Sequence, residues 1–150
     1  YNLAKGFDFK LIEIDKKFDD SLVAVPCAST EIEQVVLNLL KNAAQAIAER
    51  NDTEWQGHIT LRTEKKANTA VISVEDNGTG MSEDTRKRIF EPFFTTKDVG
   101  SGTGLGLSVS YFIITTNHKG SMEVQSTKGV GTRFIISLPL TEVQNLSRSI

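Results

Sequence analysis

Hydrophobic positions along the chain recur with two different periods, and the change of period separates helices from strands. Over residues 29–50, apolar residues recur at spacings of three and four, which predicts an amphipathic helix. These residues are Ile32, Val35, Val36, Leu39, Leu40, Ala43 and Ile47. Thr30 is followed three residues later by Glu33, the pattern of a capping box, so the helix is expected to begin there.

Apolar and polar residues alternate in the segments that follow, which predicts strands. Residues 58–66 and 69–76 form one predicted pair around the turn "KKAN", and residues 121–127 and 131–140 form another around "KGVG". Each pair is short and joined by a turn with Gly, Asn or Lys, as expected of antiparallel hairpins. The centre of the domain is therefore expected to be a sheet.

The remaining segments are less regular. Residues 7–15 and 22–25 look like short strands and predict a hairpin at the start of the domain. Residues 107–120 are rich in β-branched side chains, which favours a strand, but they follow glycines and end in Asn and Gly, which favours a helix. We interpret that segment as a helix. Residues 141–150 are expected to be a loose tail.

Side-chain parity directs a carboxylate inward at the end of a strand. The apolar residues of strand 69–76 share one face, and Asp76 falls on the same face because strand side chains alternate. Thr132 has the same inward parity in the last strand. Beside Gly78 and Gly80, Asp76 would accept a hydrogen bond from an exocyclic amine such as that of adenine. The alternative is that Asp76-Asn77-Gly78 is an ordinary turn.

Glycines at every second position, Gly100, Gly102, Gly104 and Gly106, precede the predicted helix 107–120. Bare N–H groups ahead of a helix N-terminus favour phosphate binding, so this segment is a candidate phosphate loop. A disordered linker is the alternative. The spacing differs from the G-x-x-x-x-G-K-[ST] and G-x-G-x-x-G loops of other nucleotide-binding proteins.

Asn38 and Asn42 lie one turn apart on the same face of helix 29–50, with Lys41 beside them. They could be satisfied polar residues at the edge of the apolar face. Alternatively, their amides could supply oxygen to Mg²⁺ and donors to phosphate. The spacing leaves both interpretations open. His58 and His118 are interpreted as structural residues.

Composition limits the class of protein. The 150 residues fit one domain, and 39% hydrophobic with 24% charged residues is typical of a globular fold. A net charge of −2 without a basic run argues against nucleic-acid binding. The one cysteine, Cys27, leaves no internal disulfide and indicates no zinc site. No apolar run is long enough for a membrane span, and the first residue, Tyr1, indicates a fragment of a longer protein.

Five segments, taken in order, strongly resemble the N, G1, F and G2 boxes and the terminal strand of bacterial two-component sensor histidine kinases. They are "NLLKNAAQAI", "VEDNGTGM", "IFEPFFTTK", "GTGLGLS" and "GVGTRFIISLP". The resemblance is to the ATP-binding catalytic domain and covers about residues 9–140, which gives a domain over 1–140 and a tail over 141–150. It implies an α+β fold of Bergerat type, a two-layer α/β sandwich. Its mixed sheet would be covered on one face by helices, with residues 78–107 as a flexible ATP lid.

The resemblance also implies roles for particular residues. Asp76 would bind the adenine amino group, with Thr132 supporting it through water, and Asn42 would hold Mg²⁺. Asn38, Asn42 and Lys97 form the implied catalytic set, although many relatives carry an Arg where Thr95 and Thr96 precede Lys97 here. Phe93 and Phe94 would pack the lid against the domain. The residues implied to bind ATP are Asn38, Lys41, Asn42, Asp76, Gly78, Gly80, Phe94, Thr95, Thr96, Lys97, Gly102, Thr103, Gly104, Leu105, Gly106, Leu107 and Thr132.

The implied activity is transfer of the ATP γ-phosphate to a histidine on a separate dimerisation domain that these 150 residues lack. In the related gyrase and chaperone ATPases a Glu at the position of Asn38 activates water, and an amide cannot act as that base. A stand-alone ATPase and a nucleotide-responsive interaction module remain alternatives.

The implied partners are that histidine-bearing domain and a response regulator receiver domain, with no nucleic acid. The full-length protein is expected to be a homodimer, while the fragment is free to be monomeric. The domain is expected in the cytoplasm, and anchoring of the parent protein in the inner membrane stays open.

Overall fold

A computed structural model describes residues 12–50, 55–94 and 106–141. Helices and strands alternate irregularly along these ranges. In chain order they are β1 (Ile12–Lys17), α1 (Ser29–Ala48), β2 (Gly57–Lys66), β3 (Thr69–Asp76), α2 (Glu83–Arg88), α3 (Gly106–Phe112) with a π-helical extension (Ile113–Asn117), β4 (Ser121–Thr127) and β5 (Gly131–Pro139). No helix within these ranges has the length and apolar character needed to cross a bilayer.

The strands of the described ranges form one mixed, five-stranded sheet in the order β1-β2-β3-β5-β4. β1 runs parallel to β2, and the other neighbouring strands are antiparallel. Helix α1 and the extension of α3 bury their apolar residues against one face of this sheet, where Leu39, Ile59, Ile114 and Ile136 are fully buried. The prediction of a mixed sheet covered on one face by helices is confirmed.

The register between β3 and β5 positions the two inward polar residues. Asp76 is the last residue of β3, and it lies directly opposite Thr132. Both side chains are buried on the helix-covered face, as their parity predicts. Their neighbours Glu75 and Arg133 have the opposite parity and point to the other face of the sheet. The sheet therefore brings one carboxylate and one hydroxyl together beneath the helices.

The predicted entrance hairpin is wrong. β1 pairs with β2 in parallel, and residues 22–25 do not form a strand. After β1 the chain is held by Asp19, whose backbone N–H donates to Thr63 Oγ1 (3.1 Å) and whose carboxylate accepts from the backbone N–H of Lys65 (2.8 Å). Because these contacts anchor the segment to β2, the edge strand finds its partner there instead of in residues 22–25.

The predicted capping box is also wrong. Helix α1 begins at Ser29, its N-cap is Ala28, and no side chain caps it. The backbone N–H of Ala28 donates instead to Nε2 of His118 (3.0 Å), and the His118 Nδ1 lies 2.9 Å from the carbonyl oxygen of Ile113. A tertiary contact thus replaces the local cap. The structural role predicted for the buried His118 is confirmed, because both ring nitrogens contact backbone groups.

The segment predicted as a helix over 107–120 is helical, but its second half widens. α3 continues as a π-helical extension over Ile113–Asn117. Within it, the Thr115 hydroxyl donates to the carbonyl oxygen of Tyr111 (2.7 Å), a back-bond that competes with the regular helical ladder. The β-branched composition that made this sequence ambiguous therefore has a structural counterpart in the irregular helix.

Candidate functional site

A cavity of about 100 Å³ opens between helix α1, the end of strand β3 and the start of α3. Five residues predicted from the sequence line it together: Asn42, Asp76, Gly80, Leu107 and Thr132. The remaining lining residues are Gln45, Ala46, Glu49, Thr79, Met81, Ile89 and Phe134. The wall thus combines an apolar surface with a small number of polar groups, as small-molecule sites generally do.

Asp76 is the buried ionisable group in the wall of this cavity. Its side chain is 7% exposed, and burial raises the pKa of its carboxyl to about 6. The backbone N–H groups of Gly78 and Thr132 oppose that rise, and the neighbouring Glu75 charge adds to it. At neutral pH the carboxylate is mostly ionised and therefore acts as a hydrogen-bond acceptor.

The two interpretations of Asp76-Asn77-Gly78 are compatible. The backbone N–H of Gly78 donates to Asp76 Oδ1 (2.8 Å), so the carboxylate does form an Asx turn. Asn77 contributes in the same way, because its Oδ1 accepts from the backbone N–H of His58 (2.8 Å). Asp76 still lines the cavity while it makes that bond. One side-chain oxygen thus orders the turn, and the carboxylate remains available at the wall.

Residues 76–80, hereafter the strand-end loop, are bonded to β2 through Asn77 and to two further parts of the chain through Thr79. The Thr79 N–H donates to the carbonyl oxygen of Ala46 near the end of α1 (3.3 Å). The Thr79 carbonyl oxygen accepts from the N–H of Gly129, in the turn between β4 and β5 (2.6 Å). Helix, loop and turn are therefore joined through backbone groups, which need no particular side chain at position 79.

The two predicted glycines of this loop are required by close approach. A Cβ added to Gly78 would lie 2.6 Å from the carbonyl carbon of Ala46. A Cβ on Gly80 would lie 2.1 Å from the carbonyl oxygen of Thr127, and Gly80 also has a φ of +71°. Both contacts are with backbone, which cannot swing away as a side chain can. The loop can lie this close to α1 and β4 only because these positions lack side chains.

Asn38, Lys41 and Asn42, hereafter the helix edge, lie on α1. Asn42 is half-buried and lines the cavity, whereas Lys41 is exposed. Asn38 does not line the cavity: its Nδ2 donates to Ser110 Oγ (3.2 Å) and to the carbonyl oxygen of Gly106 (3.4 Å) in α3. The prediction that the two asparagines border the apolar face is confirmed, and their ligand roles stay predictions.

Sequence reasoning missed three polar residues of the cavity, which are Thr79 and, at the C-terminal end of α1, Gln45 and Glu49. The two residues of the helix could have been found. They follow Asn42 at spacings of three and seven, which places all three on one face of a helix. Helical periodicity applied to Asn42 would have found them. Glu49 adds a negative charge at the end of the cavity where α1 terminates, and Lys41 provides a positive charge earlier along the helix.

The aromatic packing differs from the prediction. Phe93 is 73% exposed, so it does not pack the segment against the domain. Phe94 lies beneath the Arg88 guanidinium, 4.5 Å from Cζ to the ring centroid. Phe90 makes the packing contacts instead, because its ring stacks on Tyr111 at 4.7 Å and meets the edge of Phe134 at 6.3 Å. The prediction chose the pair Phe93 and Phe94, whereas the packing residue is Phe90, three positions before that pair.

Seven of the predicted ATP-binding residues lie outside the described residues. They are Thr95, Thr96, Lys97, Gly102, Thr103, Gly104 and Leu105. Of the alternating glycines only Gly106 is described, where it is the first residue of α3. The predicted phosphate-binding roles of this segment stay predictions.

A second set of groups that could hold a metal ion lies away from the cavity. Glu13, Asp15 and His58 face solvent from β1 and β2, and His58 Nδ1 lies 3.0 Å from Glu13 Oε1. That distance is a hydrogen bond between two exposed side chains. In the cavity, the side chain predicted to bind Mg²⁺ is Asn42, whose amide oxygen is the type of ligand that Mg²⁺ accepts.

Residues 27–142 match the family model described as histidine kinase-, DNA gyrase B- and HSP90-like ATPase. The signal transduction histidine-protein kinase AtoS of Escherichia coli is 38% identical over 135 residues, which is 89% of this chain and 21% of that protein. Among solved structures, the catalytic domain of histidine kinase ThkA is 34% identical with a TM-score of 0.73, covering 87% of this chain and 81% of that one.

ThkA has also been solved in complex with the response regulator protein TrrA, and that structure is 31% identical to this chain with a TM-score of 0.69. The match covers 87% of this chain and 34% of the ThkA chain. The present chain thus spans about a fifth of the curated relative and about a third of this longer structure. The similarity concerns one domain of larger proteins.

Proposed function

Because the chain belongs to the family of histidine kinase-, DNA gyrase B- and HSP90-like ATPases, we propose that it is the ATP-binding catalytic domain of a two-component sensor histidine kinase. In this proposal it transfers the ATP γ-phosphate to a histidine on a separate dimerisation domain of the same protein. The observation that carries the proposal is the buried, mostly ionised Asp76 at the wall of a cavity that also contains Thr132 and Asn42.

The cavity fits an aminopurine at the strand-end loop. Among the described residues no cation lowers the pKa of the buried Asp76 carboxyl, and its raised pKa indicates that burial penalises the charged form. A ligand N–H donor would relieve that penalty. The apolar part of the wall, formed by Met81, Ile89 and Phe134, suits the faces of a flat ring. The base is therefore assigned to the strand-end loop.

Charge sets the direction of the triphosphate in this proposal. Glu49 lies at the cavity where α1 ends and would repel phosphate, whereas Lys41 belongs to the helix edge and would attract it. The phosphates are assigned to the helix edge, where Asn42 would also hold Mg²⁺. That ion prefers few protein ligands together with water and phosphate oxygens, and it would neutralise the charge of the triphosphate.

Phosphate transfer needs a nucleophile that the described residues of the cavity do not supply. An unprotonated histidine nitrogen of the partner domain would form a bond to the γ-phosphorus of ATP. The bond between that phosphorus and the β,γ-bridging oxygen would break, and the electron pair of the broken bond would leave with ADP. Asn38 cannot activate water because an amide is not a base. In the structure it donates to Ser110, which supports a positioning role. The domain is therefore expected to retain ATP rather than to hydrolyse it quickly.

The partners follow from the same proposal. They are the histidine-bearing domain, which would make the full-length protein a homodimer, and a response regulator receiver domain. The complex of ThkA with its response regulator supports the second partner by similarity. Since ATP is the phosphate donor, the domain is assigned to the cytoplasm.

Radiolabelled ATP tests the proposal directly. The domain is incubated with Mg²⁺, [γ-³²P]ATP and the histidine-bearing domain of its parent protein, and the label is expected on that domain in an acid-labile bond. Replacement of the acceptor histidine by Ala is the control and should abolish labelling. If the domain binds ATP but never labels the histidine domain, the kinase proposal is wrong. Steady release of phosphate by the isolated domain would favour an ATPase instead.

A further inference from the structure

We propose that Arg50 is a positioning residue for the nucleotide base. Its guanidinium joins the strand-end loop to the turn between β4 and β5, and so fixes the place of Asp76 and Gly80 without reaching the cavity itself. This inference rests on the proposed ATP-binding function, since it concerns how that site is held.

One nitrogen makes both contacts. Nη1 of Arg50 donates to the carbonyl oxygen of Gly78 at 3.0 Å and to that of Gly129 at 3.1 Å. These carbonyls belong to two turns that meet only in the folded protein. The charged donor makes each bond stronger than one between neutral groups. Arg50 thus adds a side-chain link to the backbone bond that already joins Thr79 to Gly129.

The guanidinium is itself held in place. Its Cζ lies 3.7 Å from the centroid of the Trp55 ring, which is the stacked geometry of a cation–π contact. The Arg50 N–H donates to the carbonyl oxygen of Ile47 at 3.1 Å, so the backbone is fixed at the end of α1. An arginine held on a ring and by its own backbone loses little further freedom when it bonds two carbonyls.

The location of Arg50 separates positioning from binding. Thr79, Gly80 and Asp76 line the cavity, whereas Arg50 does not. Loss of Arg50 would therefore reach a bound base through the strand-end loop, whose Gly78 carbonyl it binds. Because the two carbonyls that Arg50 binds belong to the strand-end loop and to the β4–β5 turn, the effect of its loss is expected at the base and not at the helix edge. The expected signature is a loss of affinity that belongs to the adenine moiety alone.

Calorimetric titration with two probes, Mg-ATP and adenosine, tests this signature. Arg50→Ala is expected to weaken the binding of both probes by the same factor of about ten. This factor corresponds to the net loss of about one charge-assisted hydrogen bond that orders the strand-end loop. Arg50→Lys keeps the charge but loses the planar fork and the stacking, so a smaller loss of about threefold is expected. Arg62→Ala removes an arginine on the solvent-facing side of β2, and it should leave both affinities unchanged.

Lys41→Ala gives the opposite pattern, because it should weaken ATP but not adenosine. Circular dichroism fixes a temperature at which each variant is folded. Hydrogen exchange of the Gly129 amide, which bonds to Thr79, should accelerate in Arg50→Ala even without nucleotide.

Undiminished adenosine affinity in folded Arg50→Ala, or a loss confined to ATP, would overturn the inference. If the wild type binds neither probe, the proposed nucleotide site fails and this inference fails with it. If the wild type binds both probes, the result for Arg50→Ala tests the positioning role alone.

Discussion

The strand-end loop and the helix edge both contribute residues to the wall of one cavity, Asn42 being the one from the helix edge, but the two regions are built differently. The loop is joined to α1, to β2 and to the β4–β5 turn through backbone bonds, and at two of its glycines an added Cβ would lie within 3 Å of other backbone atoms. At the helix edge, Asn38 bonds α3 through a side-chain amide at 3.2–3.4 Å, and Lys41 is exposed.

This difference indicates which half of a ligand the fold can recognise in advance. A loop fixed by backbone contacts presents its acceptor at one place before anything binds, which lowers the ordering entropy that binding costs. Exposed, flexible side chains gain their geometry only when phosphate and metal arrive. We therefore expect base recognition to depend on the fold and phosphate recognition to depend on individual side chains.

Adding one methyl group to the strand-end loop and one to Gly106, whose carbonyl oxygen accepts from Asn38 of the helix edge, should show the largest contrast. Gly80→Ala forces a left-handed φ of +71° and a clash with the Thr127 carbonyl, so the free energy of unfolding should fall by about 3 kcal/mol. At Gly106 the nearest side-chain atom is 3.9 Å away and the residue begins a helix. Gly106→Ala should therefore be neutral or stabilising by up to about 1 kcal/mol. Urea denaturation measures both.

Gly129→Ala separates the clash from the backbone strain. Gly129 has a φ of +85°, but a Cβ there would meet nothing within 4 Å. Its cost should be the strain alone, about 1–2 kcal/mol. Equal destabilisation by Gly80→Ala and Gly129→Ala would show that the close approach to Thr127 contributes nothing.

The raised pKa of Asp76 predicts a stability change with pH. Because its folded pKa of about 6 exceeds the unfolded value of 3.8, the folded state holds the extra proton between these values. Its contribution to stability is therefore greatest below pH 3.8 and is lost as the pH rises to about 6. Asn does not ionise, so Asp76→Asn avoids the loss of stability that the wild type undergoes between these pH values. At pH 7 the variant should therefore have a free energy of unfolding higher by on the order of 2 kcal/mol.

Urea denaturation of both proteins from pH 3.5 to 8 checks this. The advantage of Asp76→Asn should shrink to nearly zero at the acid end. A wild type that is as stable as the variant at pH 7 would mean that burial does not penalise this carboxylate.

A smaller effect is expected at the helix edge. Asn42→Ala removes one predicted Mg²⁺ ligand while leaving the strand-end loop intact, so Mg-ATP affinity should fall about tenfold, or about 1.4 kcal/mol. Adenosine affinity should not change, and the difference between ATP affinities with and without Mg²⁺ should shrink. Calorimetry with the two ligands measures this. An equal loss for adenosine would place Asn42 against the base and remove the distinction between the two regions.

Local patterns predicted much of the fold but little of its contacts. The alternation in residues 69–76 and 131–140 predicted both central strands and the inward parity of Asp76 and Thr132, because period two fixes which face a side chain occupies. The entrance hairpin was wrong because pairing of β1 with β2 joins residues more than forty positions apart. Sequence proximity carries no information on such a partner.

The site was predictable where one residue's chemistry suffices and not where a contact spans the fold. Gly78 and Gly80 could be singled out as glycines beside an acid, but their closeness to Ala46 and Thr127 depends on how α1 and β4 pack. Arg50 carried no signal in the sequence, since its two carbonyl partners come together only in the tertiary structure. The same holds for Phe90, because its ring partners also come together only in the tertiary structure, and the prediction named Phe93 and Phe94 instead.

Calorimetric titration of Mg-ATP into wild type and Asp76→Asn at pH 7.5 tests the central claim most directly. The Gly78 N–H donates to the side-chain oxygen of residue 76, so the Asn side chain of the variant would turn its NH₂ group towards the cavity. There it would meet the amino group of adenine, and two donors cannot form a hydrogen bond with each other. The affinity should fall by about 100-fold or more, while the variant stays folded. Undiminished affinity in Asp76→Asn would contradict the account and would place the base elsewhere.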